Sequence, residues 1–207
     1  MNKYQKVKEC KGIAEIGKPY LFLISGRAGT GKSLAGKFLL ESAEDLDFID
    51  CRVDSFARSV KKVAFESFIW NRRKDEAGRN LLQGIGNLGR EYYLDMWVSR
   101  LYTRATTIVV PDVLIVDDWR FPNEEEFLRL TKMFFIKTVR IFSEERESLK
   151  GTPFYEDVSE TSLPLKPTYY DYAIYNGSTA LELKEKVSDV LYTTMLEQYE
   201  LYKTIGD

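Results

Sequence analysis

Short apolar runs alternate along this chain with longer segments in which apolar residues recur every three or four positions. Apolar runs of four to eight residues are typical of buried strands, and longer periodic segments are typical of helices. The pattern predicts strands at 20–24, 48–53, 113–116, 136–142 and 172–175. It predicts helices at 32–44, 55–70, 91–102 and 123–132, and a long final helix that follows a turn at 176–179 and runs through Leu201.

The order of these elements predicts an α/β fold. Strands that are apolar throughout are buried on both faces, as in parallel sheets. Their alternation with helices predicts a single domain with a central parallel sheet flanked by helices and right-handed crossovers. We expect Gly84, Gly86 and Gly89 to break the chain before the third helix. The irregular stretch at 143–168 contains three prolines and predicts a lid, because loops of this length in compact domains are usually functional.

A phosphate-binding motif follows the first predicted strand. The pattern G-x-x-x-x-G-K-[ST] is matched at every fixed position by Gly26-Arg27-Ala28-Gly29-Thr30-Gly31-Lys32-Ser33, between a strand and a helix. Glycines let successive backbone N–H groups turn towards a phosphate, and the helix start adds the positive end of its dipole. Lys32 is expected to reach the β- and γ-phosphates of ATP, and Ser33 to bind Mg²⁺. The residues expected to contact the nucleotide are Gly26, Ala28, Gly29, Thr30, Gly31, Lys32 and Ser33.

Two acids, Asp117 and Asp118, end the third predicted strand. Ligands of open α/β sheets bind outside the carboxyl ends of the strands, so these acids are expected beside the P-loop, where one would bind Mg²⁺. The strand pattern alone favours Asp117, because it follows the apolar run directly. A second interpretation is that the acids only cap a turn. Arg120 is a candidate for phosphate binding or for a structural ion pair.

The composition narrows the class of partner. The net charge is −2, yet Lys and Arg outnumber Asp and Glu by eleven to six between positions 52 and 104, which favours a small anionic ligand over a polynucleotide. The chain has no histidine, which excludes a histidine general base and argues against a zinc site. Two widely spaced cysteines and the lack of a long apolar run predict a cytoplasmic protein that does not enter the membrane. A homodimer is left open.

Further motifs occur in a fixed order along the chain. They are Asp54-Ser55-Phe56-Ala57-Arg58-Ser59-Val60-Lys61, Arg79-Asn80-Leu81-Leu82-Gln83-Gly84-Ile85-Gly86, Gly89-Arg90, Asp118-Trp119-Arg120-Phe121-Pro122-Asn123-Glu124 and Asp171-Tyr172-Ala173-Ile174-Tyr175-Asn176-Gly177. In order and approximate spacing they resemble the viral, bacteriophage-type deoxynucleoside monophosphate kinases. The resemblance covers about residues 21–190.

This resemblance implies a P-loop nucleotide-kinase fold, with an acceptor-binding helical region at about 54–104 and a lid at about 143–168. It implies transfer of the γ-phosphate of ATP, with Mg²⁺, to a deoxynucleoside monophosphate. Lys32, Arg120 and Asp118 would be the catalytic residues, and the D-x-R-F element favours Asp118 over Asp117 as the magnesium ligand. The residues implied for the acceptor are Ser55, Phe56, Arg58, Lys61, Arg79, Gln83, Arg90 and Glu160.

The chain departs from that family in the lid. Members often have a histidine before a Ser-Glu pair, where this sequence has Asp157-Val158-Ser159-Glu160. Of two candidate lid arginines, Arg146 is favoured over Arg140, which falls on a predicted strand. Two other functions remain open. One is a kinase for a different small acceptor, such as dephospho-coenzyme A or a nucleoside. The other is a P-loop ATPase or switch, which would hydrolyse its nucleotide without an acceptor.

Overall fold

The computed structural model describes residues 17–46, 48–143, 145–177 and 179–206. The strands in these residues are β1 (Tyr20–Ser25), β2 (Cys51–Asp54), β3 (Val113–Val116), β4 (Phe135–Phe142) and β5 (Tyr172–Tyr175). The helices are α1 (Lys32–Glu44), α2 (Ala57–Phe68), α3 (Glu76–Tyr92), α4 (Met96–Thr106), α5 (Pro122–Leu130), α6 (Val158–Thr161) and α7 (Ala180–Gly206). Two short 3₁₀ turns, Pro153–Glu156 and Pro167–Tyr169, flank α6.

The strands form one parallel sheet in the order β2-β3-β1-β4-β5. The central strand β1 pairs on one side with β3, where Tyr20 is opposite Val113, and on the other side with β4, where Tyr20 is opposite Phe135. The two outer pairings are also parallel. The predicted α/β class is therefore confirmed. Because all strands run the same way, the segments that leave β1, β2 and β3 emerge at one edge of the sheet.

Alternate residues of β1 are buried in two different cores. On one face, Phe22 packs with Leu39 of α1 and Val187 of α7. On the other face, Leu21 packs with Leu101 of α4 and with residues around α5. Burial on both faces accounts for the uninterrupted apolar sequence of this strand. Among the described residues, no helix is both long enough and apolar enough to cross a membrane.

The prediction for the third helical region is wrong. The glycine-containing stretch does not break the chain, because α3 runs continuously over Glu76–Tyr92, and the next helix is Met96–Thr106 rather than 91–102. Smaller differences occur elsewhere. The second strand is Cys51–Asp54 instead of 48–53, and the last helix extends beyond Leu201 to Gly206.

Packing between α3 and α4 explains the glycine at position 89. Trp97 of α4 donates a hydrogen bond from its indole Nε1 to the carbonyl oxygen of Gly86, at 2.9 Å. A Cβ atom added at Gly89 would overlap the Trp97 ring. Gly89 therefore leaves room for the indole to lie directly on the backbone of α3, which is an effect of tertiary packing that local helix propensity does not reveal. Gly84 has open space around it and is not part of this contact.

Candidate active site

The P-loop leads directly into α1, and its backbone adopts a conformation that favours glycine. Gly29 and Gly31 have φ angles of 90° and 101°, in a region where residues with a Cβ are strained. The helix begins at Lys32, directly after Gly31. Asn176, which is buried at the end of β5, donates from Nδ2 to the carbonyl oxygen of Thr30 at 2.8 Å. The loop thus lies between β1 and α1, as predicted, and is also tied to the chain after β5.

The ammonium group of Lys32 is enclosed by the P-loop. Its Nζ donates to the carbonyl oxygen of Arg27 at 2.7 Å, and the side chain is buried. Burial, followed by the positive charge of Arg120, lowers the pKa of Lys32 to about 8. Lys32 is therefore still mostly protonated at neutral pH. A cation that has lost much of its hydration is well suited to bind a phosphate.

The acid Asp118 holds the start of α2. Its Oδ1 accepts a hydrogen bond from the backbone N–H of Phe56 at 2.8 Å, and its Oδ2 accepts one from Ala57 at 3.0 Å. Both carboxylate oxygens therefore bind the positive end of a helix. Desolvation raises the pKa of Asp118, although these two N–H groups lower it. The geometry gives Asp118 a structural task, and its implied catalytic role stays a prediction.

The neighbouring acid, Asp117, lies beside the first turns of α1. A Cβ added at Gly36 would be 3.3 Å from the Cβ of Asp117. Asp117 and Ser33 line the same cavity, and carboxylate and hydroxyl oxygens are ligands that Mg²⁺ prefers. In the described part of the chain, no group of three acidic or cysteine side chains forms a metal site by itself. Mg²⁺ does not need one, since one or two protein oxygens usually bind it together with substrate phosphates.

A cavity of about 420 Å³ lies between the P-loop, the end of β3, the helices α2 and α3, and the lid. The predicted site residues that line it are Ala28, Gly29, Lys32, Ser33, Ser55, Phe56, Lys61, Arg79, Gln83, Arg90, Asp117, Asp118, Arg120 and Glu160. The other predicted P-loop residues, Gly26, Thr30 and Gly31, shape the loop without lining the cavity.

The structure does not bring Arg58 to this cavity. Arg58 is exposed, and its NH1 lies 3.6 Å from Oδ1 of Asp54, the last residue of β2. Asp54 also binds the Arg104 side chain at 3.1 Å. Arg58 thus belongs to an ion-pair group with Asp54 and Arg104, and its implied role in acceptor binding stays a prediction.

Arginine side chains of α3 form the wall opposite the P-loop. The guanidinium group of Arg90 lies 4.1 Å from the centre of the Phe121 ring and donates to Oδ1 of Asn87 at 2.7 Å. Burial lowers the pKa of Arg90. The guanidinium group of Arg79 lies 5.8 Å from the centre of the Phe154 ring in the lid. In the described residues, neither arginine forms an ion pair with a carboxylate, which leaves their charges for a ligand.

Residues of the D-x-R-F-P-N-E motif hold the side chains of this wall in position. Glu124 is buried and accepts hydrogen bonds at its Oε2 from the backbone N–H groups of Arg120, at 3.0 Å, and Phe121, at 3.1 Å. Burial raises the pKa of Glu124 to about 8, so it is mostly protonated at neutral pH. Trp119 is buried in the core. The motif therefore fixes Arg120 and the Phe121 ring that carries Arg90.

Several residues of the site were not predicted from the sequence. Lys74, Asn87 and Asp157 line the cavity, and Glu124 and Asn176 support it. Lys74 belongs to the basic segment, so its charge was a usable signal. Glu124 and Asn176 fall within the quoted motifs, but the sequence did not indicate their supporting role, because the contacts that define it form only in the folded chain.

The segment predicted to be a lid contacts the P-loop through Glu160. The carboxylate of Glu160 forms an ion pair with the guanidinium group of Arg120, and its Oε2 accepts a hydrogen bond from the backbone N–H of Ala28 at 2.8 Å. Arg120 also donates to the carbonyl oxygen of Ser159 at 2.7 Å. The carboxylate of Glu160 therefore binds a backbone N–H of the P-loop and a guanidinium group, as a bound anion would.

The two candidate lid arginines occupy different places. Arg140 lies in β4, where its side chain is buried and its guanidinium group is 5.7 Å from the centre of the Tyr170 ring. Arg140 does not line the cavity. Arg146 lies in the predicted lid segment, and its carbonyl oxygen is so close to the P-loop that a Cβ at Gly29 would overlap it. A catalytic role for Arg146 stays a prediction.

Comparisons with solved structures define the class of fold. The chain superposes with a TM-score of 0.50 on the APS kinase CysC of Mycobacterium tuberculosis in complex with AMPPNP and APS, at 13% identity over 84% of this chain and 98% of that one. It superposes equally well, at 13% identity, on APE1195 over 88% of this chain and 97% of that one. The chain therefore has a P-loop kinase-like fold, with a central parallel sheet flanked by helices. No protein-family model and no curated protein matches its sequence.

Proposed function

We propose that this protein is an ATP-dependent kinase that phosphorylates a small anionic acceptor, and that the acceptor is a deoxynucleoside monophosphate. The observation that carries the proposal is a cavity with a P-loop on one side and cations of the α2–α3 region on the other. These cations are Lys61, Lys74, Arg79 and Arg90. A P-loop by itself is compatible with many functions, whereas a second cationic wall facing it supports a second phosphate-bearing ligand.

The size of the cavity supports a small acceptor. About 420 Å³ lies within the range of pockets that hold small molecules, and residues of the predicted lid form part of its lining. The fold neighbour APS kinase CysC was solved with AMPPNP and APS, which supports an adenine nucleotide as the donor here. The nucleoside monophosphate is the finer part of the proposal, and it is supported by the motifs from Asp54 to Lys61 and from Asp118 to Glu124.

The residues of the cavity suit phosphoryl transfer, which requires positioning and charge neutralisation more than a strong base. An acceptor phosphate oxygen would form the new bond to the γ-phosphorus, while the bond from that phosphorus to the β–γ bridging oxygen breaks and ADP leaves. Lys32 and Arg120 would stabilise the transferring oxygens. Asp117 and Ser33 would hold Mg²⁺, which supplies neutralisation of phosphate charge when bound. The lid would exclude water and so suppress ATP hydrolysis.

A coupled assay of ADP release tests this proposal. ATP and Mg²⁺ are supplied alone, then with each deoxy- and ribonucleoside monophosphate, APS, dephospho-coenzyme A and nucleosides. We expect little turnover without an acceptor and a large increase with at least one deoxynucleoside monophosphate. Turnover with another acceptor alone would support the kinase activity but contradict the proposed acceptor. Hydrolysis that no acceptor accelerates would support an ATPase or switch instead.

A further inference from the structure

One carboxylate in the lid binds two groups that a nucleotide phosphate is also expected to need. Glu160 is buried, and its two oxygens bind the backbone N–H of Ala28 and the guanidinium group of Arg120. Backbone N–H groups of a P-loop are the donors that surround nucleotide phosphates. A guanidinium group binds carboxylates and phosphates in the same manner, because both present paired anionic oxygens.

Backbone contacts hold this part of the lid against the P-loop. The N–H of Ser148 donates to the carbonyl oxygen of Ala28 at 2.9 Å. The carbonyl oxygen of Arg146 packs against Gly29, where only a residue without a Cβ leaves room. The lid therefore contacts the P-loop on both the donor and the acceptor side of Ala28, and Glu160 supplies the negative charge of this contact.

We propose that Glu160 is an internal substitute for a nucleotide phosphate. In the protein without ligand, its carboxylate occupies the Ala28 N–H and Arg120, and a bound nucleotide displaces it. The inference rests on the proposed function only in that it takes the P-loop as the nucleotide site. Because the contacts of Glu160 with Ala28 and Arg120 must break when the nucleotide binds, Glu160 lowers the apparent nucleotide affinity. It also couples the position of the lid to nucleotide binding, since the same carboxylate belongs to the lid.

Calorimetric titration with ADP and Mg²⁺ tests this role, because ADP binds without phosphoryl transfer. The Glu160→Gln variant retains an oxygen acceptor but loses the charge, and we expect it to bind ADP about five- to twentyfold more tightly than the wild type. Glu156→Gln is the matched control, since Glu156 is exposed on the same segment and the substitution removes the same charge. Its ADP affinity should change less than twofold.

The Glu160→Asp variant separates displacement from general electrostatics. It keeps the negative charge but is one methylene shorter, so it cannot hold Ala28 and Arg120 together. Displacement predicts tighter ADP binding for this variant too, whereas a purely electrostatic effect predicts no change. A stabilising structural role alone would predict weaker ADP binding together with a lower melting temperature.

Each outcome decides between the proposals. ADP binding that is unchanged or weaker in both Glu160 variants would overturn the inference while leaving the kinase proposal intact. Normal ADP binding without phosphorylation of any acceptor would overturn the kinase proposal, and the Glu160 variants would still decide the inference. Failure of the wild-type protein to bind ADP would overturn both the kinase proposal and the inference about Glu160.

Discussion

The two walls of the cavity are built in different ways. The P-loop wall consists largely of backbone from one continuous stretch, and its shape depends on glycines with positive φ angles. The opposite wall consists of side chains from α2, α3 and the segment after β3, and its shape depends on contacts such as that of Arg90 with the Phe121 ring. A phosphate site made of backbone can be recognised from a short motif. A site made of side chains on packed helices requires the whole fold.

The largest effect is expected on the P-loop wall. Lys32→Ala should lower kcat by roughly 10²–10³-fold, because it removes a preorganised cation from the transferring phosphate. The fold should persist, since the buried ammonium group is replaced by a small apolar side chain. Circular dichroism and steady-state kinetics measure the two effects. Lys37→Ala is the control, because Lys37 is exposed on the same helix; near-normal activity of a folded Lys32→Ala protein would refute the P-loop assignment.

The two acids after β3 should have different roles: Asp117 in Mg²⁺ binding beside the P-loop, and Asp118 in the stability of α2. Asp117→Asn should raise the Mg²⁺ concentration needed for half-maximal activity by about tenfold or more, since it weakens a charged interaction with the ion. Asp118→Asn should instead destabilise the protein by about 0.5–2 kcal/mol, because it weakens the cap of α2. Magnesium titrations and thermal unfolding of both variants measure this division. The reverse pattern would restore Asp118 as the magnesium ligand.

Acceptor binding should depend on the arginines of α3. Arg79→Ala or Arg90→Ala should raise the acceptor KM about tenfold, because a charge-assisted hydrogen bond is lost, while the KM for ATP stays nearly constant. Arg58→Ala is the matched control, since Arg58 is exposed and paired with Asp54 outside the cavity. Kinetics with each substrate varied in turn measure these effects. An equal response of all three variants would show that general charge, rather than the cavity wall, attracts the acceptor.

The last expected effect is on stability rather than on kinetics, and it concerns the support of that wall. Gly89→Ala should destabilise the protein by about 1–3 kcal/mol, because the added methyl group overlaps the Trp97 ring. Gly84→Ala lies in the same helix with open space around it, and it should stabilise the protein by about 0.5–1 kcal/mol. Urea unfolding of the two variants gives the comparison. Equal changes in the free energy of unfolding would contradict the packing explanation of Gly89.

The sequence by itself determined the parts of the protein that depend on neighbouring residues. The run 20–24 is apolar because β1 is buried on both faces, and the P-loop follows it directly, so the strand, the loop and the start of α1 could all be predicted. The same is true of β3 and of the acids at its end. Each of these features is encoded within about ten residues, where hydrophobic period and glycine geometry act locally.

Only the tertiary structure decided the parts that depend on distant contacts. The glycines of α3 suggested a break, yet the helix continues, and Trp97 packs against it at Gly86 and Gly89. Asp118 and Asp117 are adjacent in sequence, but the N–H groups that Asp118 binds belong to residues more than sixty positions away. Glu160 reaches Ala28 across an even longer separation. The roles of these residues depend on which hydrogen-bond donors and acceptors come together once the helices have packed. No local pattern of residues carries that information.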